Sequence, residues 1–141
     1  MTIHSETIPL STKGFSDIID ITDRVDTVIG RSRIENGLVT VFCSGSTGAV
    51  TTIEYESGVL RDLQKAITKI VPSDIPYEHD RRWGDGNGFS HVRAALMKPS
   101  LSIPMVKGRL VLGTWQQIVF IDFDNRRRER NILVQVMGEP C

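Results

Sequence analysis

The strongest constraint on the fold is a series of four β-type stretches near the C-terminus joined by short polar connections. Leu101 to Val106, Arg109 to Leu112, Trp115 to Phe123 and Asn131 to Met137 are rich in β-branched and aromatic residues, and turns are expected at Lys107-Gly108 and Asp124-Asn125. Strands joined so closely pair antiparallel, since a parallel crossover needs about a dozen residues or more. Further strands are predicted at Thr2 to Pro9, Ile18 to Ile21, Leu38 to Cys43 after an Asn36-Gly37 turn, and Ala49 to Tyr55. Leu38 to Cys43 is apolar on both faces, which implies cover on both.

Helical periodicity is confined to three places. Thr22 is placed to cap a helix running to about Arg33, with Val25, Val28 and Ile29 on one face. From Gly58 to Val71 the apolar residues recur every three or four positions, with Ser57 as a candidate cap and Pro72 as a stop. Ser90 is placed to start a short helix carrying His91, Ala94, Ala95 and Leu96 that Pro99 ends. Between them, Ser73 to Gly88 fits neither period and reads as a long loop, a kind of segment that is more often functional than idle. The expected fold is α+β: an extended antiparallel sheet or sandwich with two to three packed helices, in one domain spanning residues 1–141.

Charge excludes some functions. The chain balances 17 basic against 17 acidic side chains, so no overall field draws it to nucleic acid or an anionic membrane. No stretch reaches the roughly 20 apolar residues that span a bilayer, and the first residues form neither a basic leader nor an apolar run. A cytoplasmic location is expected, and Cys43 and Cys141 do not make a disulfide framework. Cys43 reads as a small core hydrophobe.

The chemistry-bearing residues concentrate between Tyr77 and Arg93. Two of the three histidines, His79 and His91, lie twelve positions apart here, with Asn87 between them and glycines that let the backbone turn close to a ligand. If the loop folds back, the imidazoles can converge on a divalent metal, zinc or magnesium; otherwise they are structural or solvated. Arg81, Arg82 and Arg93 suit a forked grip on phosphate or carboxylate, and equally suit ordinary pairing with Glu78, Asp80 and Asp85. Ser46 and Thr47 sit in a glycine-rich loop that lacks the lysine of a nucleotide-binding loop, leaving them as hydrogen-bond donors to a ligand or to their own turn. Arg126 to Arg130 is the one strong charge run, expected at a solvated hairpin tip or a subunit contact.

Pro99-Ser100-Leu101-Ser102-Ile103-Pro104, followed by Gly108-Arg109-Leu110-Val111-Leu112-Gly113-Thr114-Trp115-Gln116-Gln117-Ile118, closely resembles the signature of the YjbQ-like family. Tyr77 and His79, Gly86-Asn87 with His91, and Ala94-Ala95-Leu96 extend the resemblance, which covers about Leu38 to Gly138. This uncharacterised group is also labelled "secondary thiamine-phosphate synthase enzyme". The resemblance implies a homotrimer of small α+β subunits, a small anionic metabolite as ligand, a metal held by histidines in some members, and weak thiamine-phosphate synthase activity. It implies that His79, His91 and Asn87 act in catalysis, with the two histidines as metal ligands. Trp115 and Gln116 would belong to the pocket through the Gly-Thr-Trp-Gln turn, and a large aromatic in a β-rich turn suggests that the Trp115 ring is buried beneath it. Where many members have a His-Thr-Thr or His-Thr-Ser motif, this chain has Gly45-Ser46-Thr47, one candidate ligand fewer.

Overall fold

A sheet with an apolar face needs a second layer to cover it, and here three layers stack. The computed structural model describes residues 1–141 and contains eight strands and four helices. In chain order these are β1 (Thr2–Thr12), β2 (Asp17–Asp20), α1 (Thr22–Ser32), β3 (Ile34–Cys43), β4 (Gly48–Ile53), α2 (Ser57–Ile70), α3 (Glu78–Trp83), α4 (Gly88–Met97), β5 (Ser100–Val106), β6 (Arg109–Leu110), β7 (Gln117–Asp122) and β8 (Arg128–Pro140). One antiparallel sheet has the order β1-β8-β3-β5-β6, and a smaller one the order β2-β7-β4.

Alternation decides which side chains meet. Ile8 and Leu10 of β1, Val39 and Val41 of β3, and Ile132, Val134 and Val136 of β8 face inward, and they pack against Ile118 and Phe120 of β7 and against Val25, Val28 and Ile29 of α1. The opposite face of β7 presents Val119 and Ile121, followed by Phe123, to Ile67 of α2 and Ala94 of α4. β7 is therefore covered on both faces. At about 1.5–3 kcal/mol for each large apolar side chain removed from water, it is the most heavily supported strand in the molecule.

Two junctions that read as hairpins in the sequence are crossings between sheets. β3 and β4 lie in different sheets, as do β7 and β8, so neither pair shares backbone hydrogen bonds. The expected Asn36-Gly37 turn is also absent: both residues lie within β3, beside a bulge between Ile34 and Asn36. Gly37 sits opposite Gly138 of β8, and a methyl group on Gly37 would stand 2.0 Å from the Met137 carbonyl oxygen. These glycines serve close backbone approach. The first residues of the helices differ too. Thr22 makes no cap; its hydroxyl accepts from the Ile118 N–H. The α2 cap is Glu56, whose carboxylate accepts from Gly58 and Val59 N–H at 2.8 Å each. Ser90 lies inside α4 and donates to the Phe123 carbonyl. The predicted loop from Ser73 to Gly88 contains α3.

The outer face of the five-stranded sheet is uncharged across three neighbouring rows. Ile3, Met137, Leu38 and Pro104 form one, Ser5, Gln135, Thr40 and Ser102 the next, and Thr7, Leu133, Phe42 and Ser100 the third. Ile3 is 60% exposed, Met137 39% and Leu38 37%. No helix of the chain is long and apolar enough to cross a membrane.

Candidate functional site

α3 and α4 are joined by a turn in which Gly84 and Gly86 take φ of 73° and 68°, values that cost a residue with a side chain. Gly88 opens α4 where a methyl group would meet Tyr77 Cβ at 2.6 Å, and its N–H donates to Asp80 Oδ1 at 2.9 Å. This close packing folds the segment back on itself and brings His79 of α3 against His91 of α4, ring centroids 4.5 Å apart and planes tilted by 40°. The convergence that the sequence left open is thus a feature of the fold.

The histidines line a cleft of about 580 Å³ whose other walls are Ser46, Thr47, Trp83, Asp85, Asn87, Asp124, Asn125, Arg126 and Arg128. Trp83 is the one hydrophobic residue among the eleven, so the cleft suits a polar ligand. Its floor is Asp124, which is 2% exposed. Asp124 accepts from the Asn125 N–H at 2.8 Å, Thr47 Oγ1 at 3.2 Å and Asn87 Nδ2 at 3.3 Å, and pairs with Arg128 at 3.1 Å. Burial pushes its carboxyl up, but these hydrogen bonds and the Arg128 charge outweigh that and hold it below the usual aspartate range. It is an anion at neutral pH.

Burial pushes His91 below the usual histidine value and the neighbouring His79 adds to the shift, against the pull of Asp124, Asp85 and Asp80. His91 is accordingly a neutral imidazole at pH 7, free to accept a proton or bind a metal. Nδ1 of His79 and Oδ1 of Asn87 are buried without a hydrogen-bond partner. Unpaired buried polar atoms cost about 1–3 kcal/mol each, and both belong to residues on the cleft wall. Arg126 is exposed at the rim and enters no ion pair, while Arg128 keeps part of its guanidinium available beyond its contact with Asp124.

Beneath the floor lies a second polar cluster. Arg130, 8% exposed, donates to both Asp122 oxygens at 2.8 Å and to Thr47 Oγ1 at 2.7 Å, and Thr12 donates to Asp122 at 2.6 Å. Arg130 comes from the large sheet and Asp122 from the small one, so the pair clamps the two together.

The structure thus brings His79, His91, Asn87, Ser46 and Thr47 together, and leaves the other candidates elsewhere. Arg81 pairs with Glu78 at the surface and Arg82 stacks over the exposed Trp83 ring, 5.5 Å from its centroid. Arg93 is buried on the other side of α4. Trp115 is 72% exposed, contrary to the buried ring expected, and Gln116 bonds to the Gly113 N–H and to Thr52. The pocket members missed in the sequence are Trp83, Asp85, Asp124, Asn125, Arg126 and Arg128. For Asp124 to Arg128 the signal was the abrupt change at the end of β7 from apolar residues to Asp-Phe-Asp-Asn-Arg, read as a hairpin tip because the switch of sheet was not visible.

For a metal, the two imidazoles are the available nitrogen donors, although Nδ1 of His79, which makes no hydrogen bond, faces Asp80 Oδ1 at 3.6 Å. No group of three or more His, Cys, Asp or Glu side chains is arranged to hold an ion. A metal held here would have His79 and His91 as its imidazole ligands and would need a further donor to reach the three protein ligands usual at a catalytic zinc.

An α+β protein with two antiparallel sheets and a polar cleft built on a histidine pair is the class that fold and site define. The chain belongs to the family described as UPF0047 protein YjbQ-like, which matches residues 6–139. A UPF0047 protein of Methanothermobacter thermautotrophicus is 39% identical over 140 residues, 99% of this chain and 96% of the relative. One from Archaeoglobus fulgidus is 40% identical over 126 residues, 89% of this chain and 96% of the relative. Among solved structures, a YbjQ-like protein of unknown function from Sulfolobus solfataricus superposes with a TM-score of 0.93 at 31% identity, covering 98% of this chain and 99% of that one. An uncharacterised member from Clostridium acetobutylicum superposes at 0.86 with 33% identity, covering 94% and 99%.

Proposed function

We propose that the cleft carries out metal-assisted chemistry on a small phosphorylated metabolite, with the weak thiamine-phosphate synthase activity implied by the family resemblance as one form of it. The observation that carries this reading is the His91 ring set against that of His79 in a polar cleft rimmed by Arg126 and Arg128. Arg126 and Arg128 hold the anionic oxygens, and Ser46, Thr47 and Asn87 orient them. In the absence of an ion His91 accepts a proton from the attacking group, and the fixed negative charge of Asp124 favours the imidazolium that results; as a metal ligand it could not, because coordination occupies the nitrogen that the proton would take. A divalent ion would be held by His79 and His91; nitrogen donors favour zinc over magnesium, and such an ion supplies charge stabilisation to the phosphoryl group. Arg81, Arg82, Arg93, Trp115 and Gln116 do not line this cleft, and a role for them would run through assembly or a separate site.

Assembly as a homotrimer is part of the proposal. It is supported by the uncharged outer sheet face and by the exposed Trp115, Val111 and Val106 near the β5-β6 edge, since exposed apolar side chains gathered in one region mark interaction sites.

The test is a phosphate-release and synthase screen on wild type and His91→Ala, with metal analysis of both. Turnover lost at least a hundredfold in His91→Ala, a size typical of a missing general base, together with reduced zinc content, is the expected result. A second reading, a non-catalytic binder of a metabolite or ion, is favoured by the orphaned polar atoms, which a bound ligand alone would satisfy. A ligand-induced rise in melting temperature with no turnover selects that reading instead.

A further inference from the structure

Two arginines are buried in this protein, and only one is neutralised. Arg130 lies between Asp122 and Asp124. Arg93, 5% exposed, has no carboxylate partner: Nε donates to the Val71 carbonyl at 3.0 Å, Nη1 to Ser16 Oγ at 3.3 Å, and the guanidinium lies 4.8 Å from the Phe89 ring centroid. A ring face and neutral acceptors do not cancel a unit charge, and an unpaired buried charge is among the costlier features a fold can retain. Burial accordingly pushes the Arg93 pKa down.

Nη2 of Arg93 has no protein partner, and the side chain lines a cavity of about 510 Å³ on the α2 side of the molecule. Its polar wall is made by Ser16, Gln64, Thr68 and Ser73, and no acidic residue lines it. Ser16 reaches this wall from the left-handed region, at φ 63°, following Phe15 at φ 54°. Two successive side-chain-bearing residues in that conformation cost free energy, and strain of this kind concentrates at ligand sites. This cavity is separate from the histidine cleft, although Asn125 touches both.

We propose that this cavity is a second ligand site, which takes a small oxyanion, a phosphate or a carboxylate, on the free edge of the Arg93 guanidinium. A planar fork with an open edge matches two oxygens of such a group, and the Ser16 and Ser73 hydroxyls can donate to the rest, the Thr68 hydroxyl being committed to the Gln64 carbonyl. The site stands independently of the proposed function, because none of its charge comes from His79, His91, Arg126 or Arg128.

The arginine Nε–H resonances of ¹⁵N-labelled protein report on it directly. Sodium phosphate and, separately, sodium acetate are titrated at pH 7 and constant ionic strength into wild type, His91→Ala and Thr68→Glu, with Arg93→Met identifying the resonance. A saturable movement of the Arg93 signal in both wild type and His91→Ala is expected, whichever anion binds more tightly. Thr68→Glu, at an exposed helical position, places a carboxylate on the cavity wall; it should abolish the movement and raise the melting temperature. An Arg93 signal that stays still, or drifts linearly with both salts, overturns the site while leaving the histidine cleft untouched. A shift that follows protein concentration without added anion would assign the cavity to a carboxylate of a second copy and also overturn it.

Discussion

His91 turns its surroundings into a measurable pH response. Its folded pKa lies below the usual value of about 6.5, so the unfolded chain binds the proton more readily. By linkage, stability contributed by this group is present above about pH 6.5 and falls on acidification until the folded pKa is passed. A histidine NMR titration should place His91 under about 6.5, and a midpoint above that would remove it as a neutral base or metal ligand at pH 7. Any zinc on the pair should likewise be lost as pH falls through the same interval, because protons compete for the ring nitrogens.

Arg130 tests the opposite situation, a buried charge that is matched. Arg130→Met leaves Asp122 buried and uncompensated between the sheets, and the expected loss is about 3–5 kcal/mol, read from a denaturant unfolding curve. A loss under about 1 kcal/mol would mean that water reaches the clamp. Cys43 beside it is no nucleophile, since burial pushes its thiol up.

At the scale of elements, α2 depends on an acid at its start. Glu56→Ala removes two hydrogen bonds to otherwise free N–H groups, so a cost of about 0.5–2 kcal/mol is expected. Replacement of Ser57, the residue that the sequence pointed to as the cap, should be close to neutral; a larger effect from Ser57→Ala than from Glu56→Ala would contradict the capping seen here.

Periodicity read correctly for most strands and for α1, α2 and α4, because each buries one regular face. It failed where pairing is non-local. Nothing in the residues around Ser44 or Asp124 says that the chain changes sheet there, and Asn36-Gly37 carries a turn's composition for a different reason, the close approach of β8. The histidine pair was legible from the density of polar and glycine residues around it. The arginines were not, since whether an arginine is paired, stacked or buried depends on which face of its element turns inward, and Arg81, Arg82, Arg93 and Arg130 have four different fates.

At the scale of the whole molecule, assembly and folding can be separated. Light scattering at micromolar concentration is expected to give three times the monomer mass, and Trp115→Glu or Met137→Glu to reduce it while leaving the isolated subunit folded by circular dichroism. A monomeric wild type would defeat the proposed trimer.

β7 has a further consequence. Its backbone is bonded on both edges and its faces are sealed on both sides, so its amides can exchange with solvent only in the rarest openings. Asp122 ends that strand and Asp124 follows two residues on. The histidines instead sit on α4 and on α3, and α3 buries no residue of its own. α4, which buries five residues, belongs with the anchored half of the cleft, and α3 is the part whose amides are expected to exchange first. A molecule bridging the two halves should slow exchange in α3 while leaving β7 unchanged, which hydrogen exchange with and without ligand would read.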